Sequence, residues 1–232
     1  PFAAGGPTDT VARSLAVSMG KALGQTIVVE NVPGAGGTIA PTKLKNASAD
    51  GYTLLIAHIG MSTAPSLYRS LPFKPVEDFE PIGQVVDVPM TFIAKKDLPP
   101  NDFKGLVAYV KANKDKVTLA NAGLGAASHL CGLLFMSAIQ ADLTTVPYKG
   151  TAPAINDLLG GQVDILCDQT TNTTSYIKSG RIKAYAVTSK ARVPSLPDLP
   201  PAAEAGLPGF EVNVWHGVYA PKGTPKPVID RL

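Results

Sequence analysis

Aromatic residues make up only 6% of this 232-residue chain, and there is a single tryptophan, Trp215. That is too few for the stacking surface of a single-strand nucleic-acid binder. Basic residues form no run longer than Lys95-Lys96, and 21 Lys+Arg against 18 Asp+Glu leave a net charge of only +3. No basic patch can track a phosphate backbone, so no nucleic-acid partner is expected. No apolar run approaches the roughly 20 residues that span a bilayer as a helix. The three histidines, His58, His129 and His216, and the two cysteines, Cys131 and Cys167, are not spaced as metal ligands, so no metal is expected. The phosphate-binding pattern that ends in Gly-Lys-Ser/Thr is also missing.

Hydrophobic residues are plentiful at 45%, charged residues are 17%, and 22 Gly with 21 Pro imply many loops. The length suits one large domain or two of about 100 residues. Helical and strand patterns alternate along the chain. A helix over residues 7–23 stops at Gly24, and strands are expected at 26–30, 52–57, 82–86 and 90–96. Further helix–strand alternation runs from 101 to 187, and a proline-rich stretch at 193–201 precedes a long strand within 210–223. Asn101 or Asp102 can cap the helix that follows. Alternation of this kind predicts an α/β fold with mostly parallel sheets and helices on both faces. Residues 98–105 and 212–223 can cross between two lobes, which places one lobe at 1–97 plus 216–232 and the other at 98–215. The chain opens on a loop with no strand before it and stops in the first turns of a helix, so further segments are expected beyond both ends.

Two glycine loops feed helices. The first, residues 2–9, reads FAAGGPTD. Pro7 suits the first helical position, and Asp9 can accept from orphan N–H groups there, as a cap. The second, residues 121–130, reads NAGLGAASHL, and Ser128 can cap the helix or offer its hydroxyl outward. The helix after it is apolar nearly all round, which predicts burial. Loops of this kind lie beyond the carboxyl ends of strands, where α/β sheets bind ligands. Helix N-termini favour anions, and Arg13 and Lys21 stand a turn or more inside the first helix, so main-chain groups would hold the anion.

Other readings compete at several residues. The run GLGAAS approaches the dinucleotide fingerprint G-x-G-x-x-G/A, but Asp142 precedes the next strand instead of ending it. GMSTA at 60–64 only faintly resembles a nucleophile elbow. His58 is a ligand contact or a packed polar residue, and Trp215 packs at a hinge or in the core. Asp168, at the end of VDILCD, either hydrogen-bonds in the pocket or caps the next helix. Cys131 and Cys167 are buried thiols in the cytosol or a disulfide in an oxidising compartment.

The stretches PFAAGGPTDTVAR, VVENVPGAGGTIA, NAGLGAASHL, VPYKGTAPAINDLLGGQVDI and RIKAYAVTSKARVPSLPDLPPAAEAGLPGF resemble, in order, the Bug family. These are the extracytoplasmic solute receptors of tripartite tricarboxylate transporters. The resemblance implies a periplasmic-binding-protein fold, type II-like, whose two lobes close on a small carboxylate: a di- or tricarboxylate, an acidic amino acid or an aromatic acid. It implies a periplasmic, monomeric, cofactor-free protein that is not an enzyme and delivers its ligand to membrane permease subunits. The alternative is an NAD-type oxidoreductase using the glycine loops. The family grips its carboxylate with backbone amides of two loops, which correspond here to Phe2, Ala4, Gly5, Gly6, Thr8 and Asp9, and to Gly123, Gly125, Ala126, Ala127 and Ser128. His58, Gly150, Thr151 and Asp168 complete the expected ligand set. A periplasmic setting favours a Cys131–Cys167 disulfide.

Overall fold

The sequence PTDTVARSLAVSMGKAL winds into helix α1 (Pro7–Leu23), with Gly6 extended before it and Gly24 left-handed after it, at φ 69°. The computed structural model describes all residues from Pro1 to Leu232. After α1 come α2 (Ile39–Lys45), strand β1 (Leu55–His58), α3 (Gly60–Leu67) and β2 (Phe79–Ala94). The middle of the chain forms α4 (Phe103–Ala112), β3 (Thr118–Asn121), α5 (Ala127–Ile139), β4 (Thr144–Pro147), α6 (Thr151–Leu159), β5 (Ile165–Gln169) and α7 (Thr170–Lys178). Strands β6 (Lys183–Val187) and β7 (Asn213–Pro221) and helix α8 (Lys226–Arg231) complete it. Asp102 caps α4, accepting from the Gly105 N–H at 2.6 Å.

The expected strands at 82–86 and 90–96 are one strand, β2, which serves two sheets. Its first part, through Pro89, pairs with β7, which also pairs with β1. From Met90 onward it pairs with β5 and β6 instead. Pro89 stands where the ladder changes partner, a position that tolerates a missing N–H. Buried Thr188 ties β2 to the segment before β7: its hydroxyl accepts from the Met90 N–H at 2.8 Å and donates to the Val212 carbonyl. The α/β class and the two lobes stand, but the strands are not mostly parallel. Only β3–β4 and β3–β5 are parallel, and the pairings of β2 and β7 are antiparallel. A strand that arrives from the other lobe enters against the direction of the local βα units.

The second lobe holds the larger core. Phe92 of β2 packs on Phe103, Phe135 and Phe210 with ring centroids 4.9–5.4 Å apart. Its neighbour Ile93 faces a second cluster with Ile155, Leu158 and Leu166. Adjacent residues of a strand point to opposite faces, so a sheet covered on both faces reads as an unbroken apolar run. A disulfide joins Cys131 of α5 to Cys167 of β5, both fully buried in the larger cluster.

Two further expectations fail. Residues 26–30 make no ladder, and Val28 is 84% exposed. A groove lined by Met19, Ile27, Val29, Leu44 and Leu55 separates this stretch from β1, so the two cannot share hydrogen bonds. Helix α5 is not buried all round: Leu133 and Leu134 are 40% and 50% exposed, because the sheet covers only one side.

Candidate ligand-binding site

A small cavity of about 20 Å³ lies where the lobes meet. It is lined by Phe2, Pro7, Thr8, His58, Ala122, Ala126, Ala127, Ser128, Thr151, Asp168 and Gln169. Sites for drug-sized ligands occupy roughly 300–1,000 Å³, so with the lobes in this contact the cavity has room for little more than a water, and any larger occupant needs the lobes to part. Four helices begin on this cavity, with Pro7, Ala127, Thr151 and Thr170 as their first residues. Their N-caps are Gly6, Ala126, Gly150 and Gln169, and none is satisfied by a side-chain cap. The first N–H groups of a helix have no partner within it, and the dipole adds partial positive charge. The cavity therefore concentrates donors for an anion. It has no Lys or Arg among its lining residues.

Several loop N–H groups are already occupied. Gly5 N–H donates to Asp9 at 2.9 Å, Gly123 N–H to Asn121 at 2.9 Å, Ala122 N–H to the Ser128 hydroxyl at 2.8 Å, and Gly125 N–H to His129 at 3.3 Å. These bonds fix the loops' shape. Asp9 also accepts from Arg13 and Asn31 at 2.9 Å. Burial raises its pKa, but the bonds from Arg13, Gly5 and Asn31 outweigh this and hold it below the usual carboxylate value. Arg13 is thus tied to Asp9.

Of the expected ligand set, Phe2, Thr8, His58, Ala126, Ala127, Ser128, Thr151 and Asp168 line the cavity. Ala4, Gly5, Gly6, Asp9, Gly123, Gly125 and Gly150 stand outside its lining and shape the loops around it. Sequence reasoning missed Gln169, although it follows Asp168 at a strand end that opens a helix. Phe2 stacks on His58 at 4.9 Å, and His58 meets His216 edge-on at 5.7 Å. The His216 ring in turn lies 3.2 Å from the Thr8 hydroxyl. Burial pushes His58 down to about 3, helped by His216, and burial pushes His216 down to about 4. Both rings are neutral at physiological pH. His58 Nδ1 accepts from the Gly60 N–H at 2.9 Å, which leaves its proton on Nε2.

The lobes are in contact across the cleft. Ala3 N–H donates to the Lys149 carbonyl at 3.1 Å. The Tyr68 hydroxyl of the first lobe lies 2.8 Å from the Ala35 carbonyl and 2.7 Å from the Leu124 carbonyl, so its single proton can be donated within its own lobe or across to the second. Gly36 faces Leu124 so closely that a Cβ at residue 36 would lie 1.8 Å from the Leu124 oxygen.

Two α/β lobes in contact over a small pocket ringed by helix N-termini have the architecture of a solute-binding protein. The family model described as tripartite tricarboxylate transporter family receptor matches residues 11–232, and the chain belongs to that family. It is 52% identical over 232 residues to a protein from the TAR-I ttuE-ttuC' intergenic region of Agrobacterium vitis, covering all of this chain and 67% of that one. Among solved structures, the periplasmic binding protein BugD is 64% identical with a TM-score of 0.97, over all of this chain and 77% of BugD. MatC of Rhodopseudomonas palustris, solved with bound malate, is 43% identical with a TM-score of 0.95, over all of this chain and 79% of MatC. The family consists of solute-binding receptors and not enzymes, and nothing in these similarities supports an oxidoreductase.

Proposed function

We propose that this chain captures a small organic carboxylate in the cavity between its lobes and delivers it, as a periplasmic monomer, to the permease of a tripartite transporter. The observation that carries this reading is the convergence of four helix starts without side-chain caps on one cation-free pocket. Main-chain N–H groups at the starts of α1, α5 and α6 bind the carboxylate, with Thr8, Ser128 and Thr151 beside them. Phe2 and His58 form the apolar wall, and His58 Nε2–H is a further donor. Ala4, Gly5, Gly6, Gly123, Gly125 and Gly150 hold the loops in register, and Asp9 locks the first loop. The malate in MatC supports a small, negatively charged ligand. The lobes divide inside β2 at Pro89–Met90 and before β7 at 212–213, where the ladders change partner.

A thermal-shift screen with small mono-, di- and tricarboxylic acids tests this. At a hundredfold excess over Kd, binding adds about 2.7 kcal/mol, which raises the melting temperature by roughly 5–10 °C in a chain of this length. A screen in which no acid shifts the midpoint, or in which the matching neutral amides shift it equally, would refute the reading. Arg13→Gln and Lys149→Gln are expected to change Kd of the best acid by less than about fivefold by calorimetry. Charge-assisted N–H bonds of roughly 1.5–3 kcal/mol each suffice for micromolar affinity, about 8 kcal/mol. A hundredfold loss in either folded variant would mean that a cation holds the acid.

A further inference from the structure

His216 is fully buried on β7 and does not line the cavity, yet it touches two residues that do. Its ring meets His58 edge-on, and its Nε2 lies 3.2 Å from the Thr8 hydroxyl. In the sheet it pairs with His58 on one side and Val86 on the other. The ring is the only hydrogen-bond partner the protein gives that hydroxyl. Thr8 is the second residue of α1, and Pro7 before it has no N–H, so the Thr8 N–H is the first main-chain donor of the helix.

A hydroxyl carries one proton and a neutral imidazole carries one, so the pair has two arrangements. With the His216 proton on Nδ1, Nε2 accepts from Thr8, and the hydroxyl turns only lone pairs toward the cavity, where they repel an anion. With the proton on Nε2, the ring donates to Thr8, and the hydroxyl proton is free to point at an anion. Nδ1 decides between them, because it is buried with no hydrogen-bond partner. Burial dominates the ring's low pKa, and the Val214 carbonyl, two residues back, opposes it without completing a hydrogen bond to Nδ1. On the backbone, a buried N–H without an acceptor is rarer than a buried acceptor without a donor. The same preference here leaves Nδ1 bare and puts the proton on Nε2. We infer that His216 is a positioning residue: it donates from Nε2 to the Thr8 hydroxyl and so turns the hydroxyl proton toward the carboxylate. This rests on the cleft being the carboxylate site. It gives a buried, neutral histidine a task behind an anion pocket that has no Lys or Arg.

Nitrogen NMR of the full chain labelled with 15N-histidine at pH 8 reads the tautomers. His58 and His129 each accept a backbone N–H at Nδ1, so all three rings are expected to carry their proton on Nε2. A His216 ring protonated on Nδ1 would overturn the inference. Calorimetry then uses the tightest binder among succinate, L-malate, citrate and L-glutamate. His216→Phe keeps a ring without a donor and is expected to weaken binding at least tenfold, the size of one hydrogen bond to a charged group. His216→Gln, whose amide N–H can stand in for Nε2–H, should recover most of that loss. With Thr8 already replaced by valine, His216→Phe should cost less than threefold more, because it acts only through that hydroxyl. An equal loss with and without the Thr8 hydroxyl would mean that His216 only supports the fold, and would leave the carboxylate site standing. If the His216 variants do not fold, the tautomer of the unaltered chain decides, together with Thr8→Val, which should lose at least tenfold. If none of the four acids binds, the carboxylate reading falls, and this inference with it.

Discussion

Gly36→Val is expected to weaken ligand binding at least a hundredfold while both lobes stay folded. Gly36 has φ 60°, and a Cβ there would meet the Leu124 oxygen at 1.8 Å and the Tyr68 hydroxyl at 2.5 Å. The Leu124 oxygen is backbone in the second lobe, so no side-chain rotation relieves the overlap. The lobes must separate instead. Opposite, Gly123 lies so near that its own Cβ would stand 3.2 Å from Gly36 Cα. Two glycines therefore let the two lobes' loops touch. A ligand gripped from both lobes gains its affinity in the closed state, and apparent affinity falls with the population of that state. Destabilising closure by about 3 kcal/mol already costs more than a hundredfold. Gly24→Val is the control: φ is 69°, with nothing within 4 Å of a Cβ, so it carries backbone strain but cannot prop the lobes apart. Calorimetry gives the affinities, and small-angle scattering at saturating ligand gives the closure. A Gly36→Val protein that binds and compacts like wild type would show that the cleft does not work by closing.

The glycines illustrate what the sequence could and could not reveal. That a glycine loop precedes α1 was legible, because a proline at the first helical position and a glycine stop are local signals; the start of α5 was marked only by the glycines before it. The cap at Asp102 was legible for the same reason. What the glycines do was not. Gly5, Gly123 and Gly125 suggested free N–H groups for a ligand, yet their donors are taken by Asp9, Asn121 and His129. The open donors are those at the helix starts. Tyr68 had no local signature at all, since its partner Leu124 lies 56 residues away. Strand β2 read as two strands because Asp87 and Pro89 interrupt its apolar pattern, and only the change of partner at Met90 explains why a proline is tolerated there. The strand expected at 26–30 carries a good pattern of β-branched residues, but a strand needs a neighbour, and pattern alone cannot supply one. The resemblance carried the fold; the directions of the strands came from long-range pairing that no local window contains.

Replacing Cys131 with Ala and Cys167 with Val together is expected to cost about 4 kcal/mol of stability, by the chain-entropy argument for a cross-link spanning 36 residues. The bridge encloses the end of α5, all of β4 and α6, and the start of β5, which is the part of the second lobe that carries Thr151. Both sulfurs sit fully buried in the core around Phe92 and Phe135, so the variant also exchanges sulfur contacts for methyl groups. Cys131 is one turn beyond Ser128, and Cys167 immediately precedes Asp168. The bridge thus fixes the start of α5 against the end of β5, two of the elements that line the cavity. Losing it should loosen that geometry as well as the fold, and the Kd for the best ligand should rise severalfold. Denaturant unfolding of variant and wild type, followed by calorimetry below the transition, measures both. Because the cross-link acts mainly on the unfolded chain, the variant should also show a steeper dependence on denaturant, as its unfolded state exposes more surface. Coincident midpoints and slopes would mean that the core alone holds α5 on the sheet and that the bridge adds nothing to it.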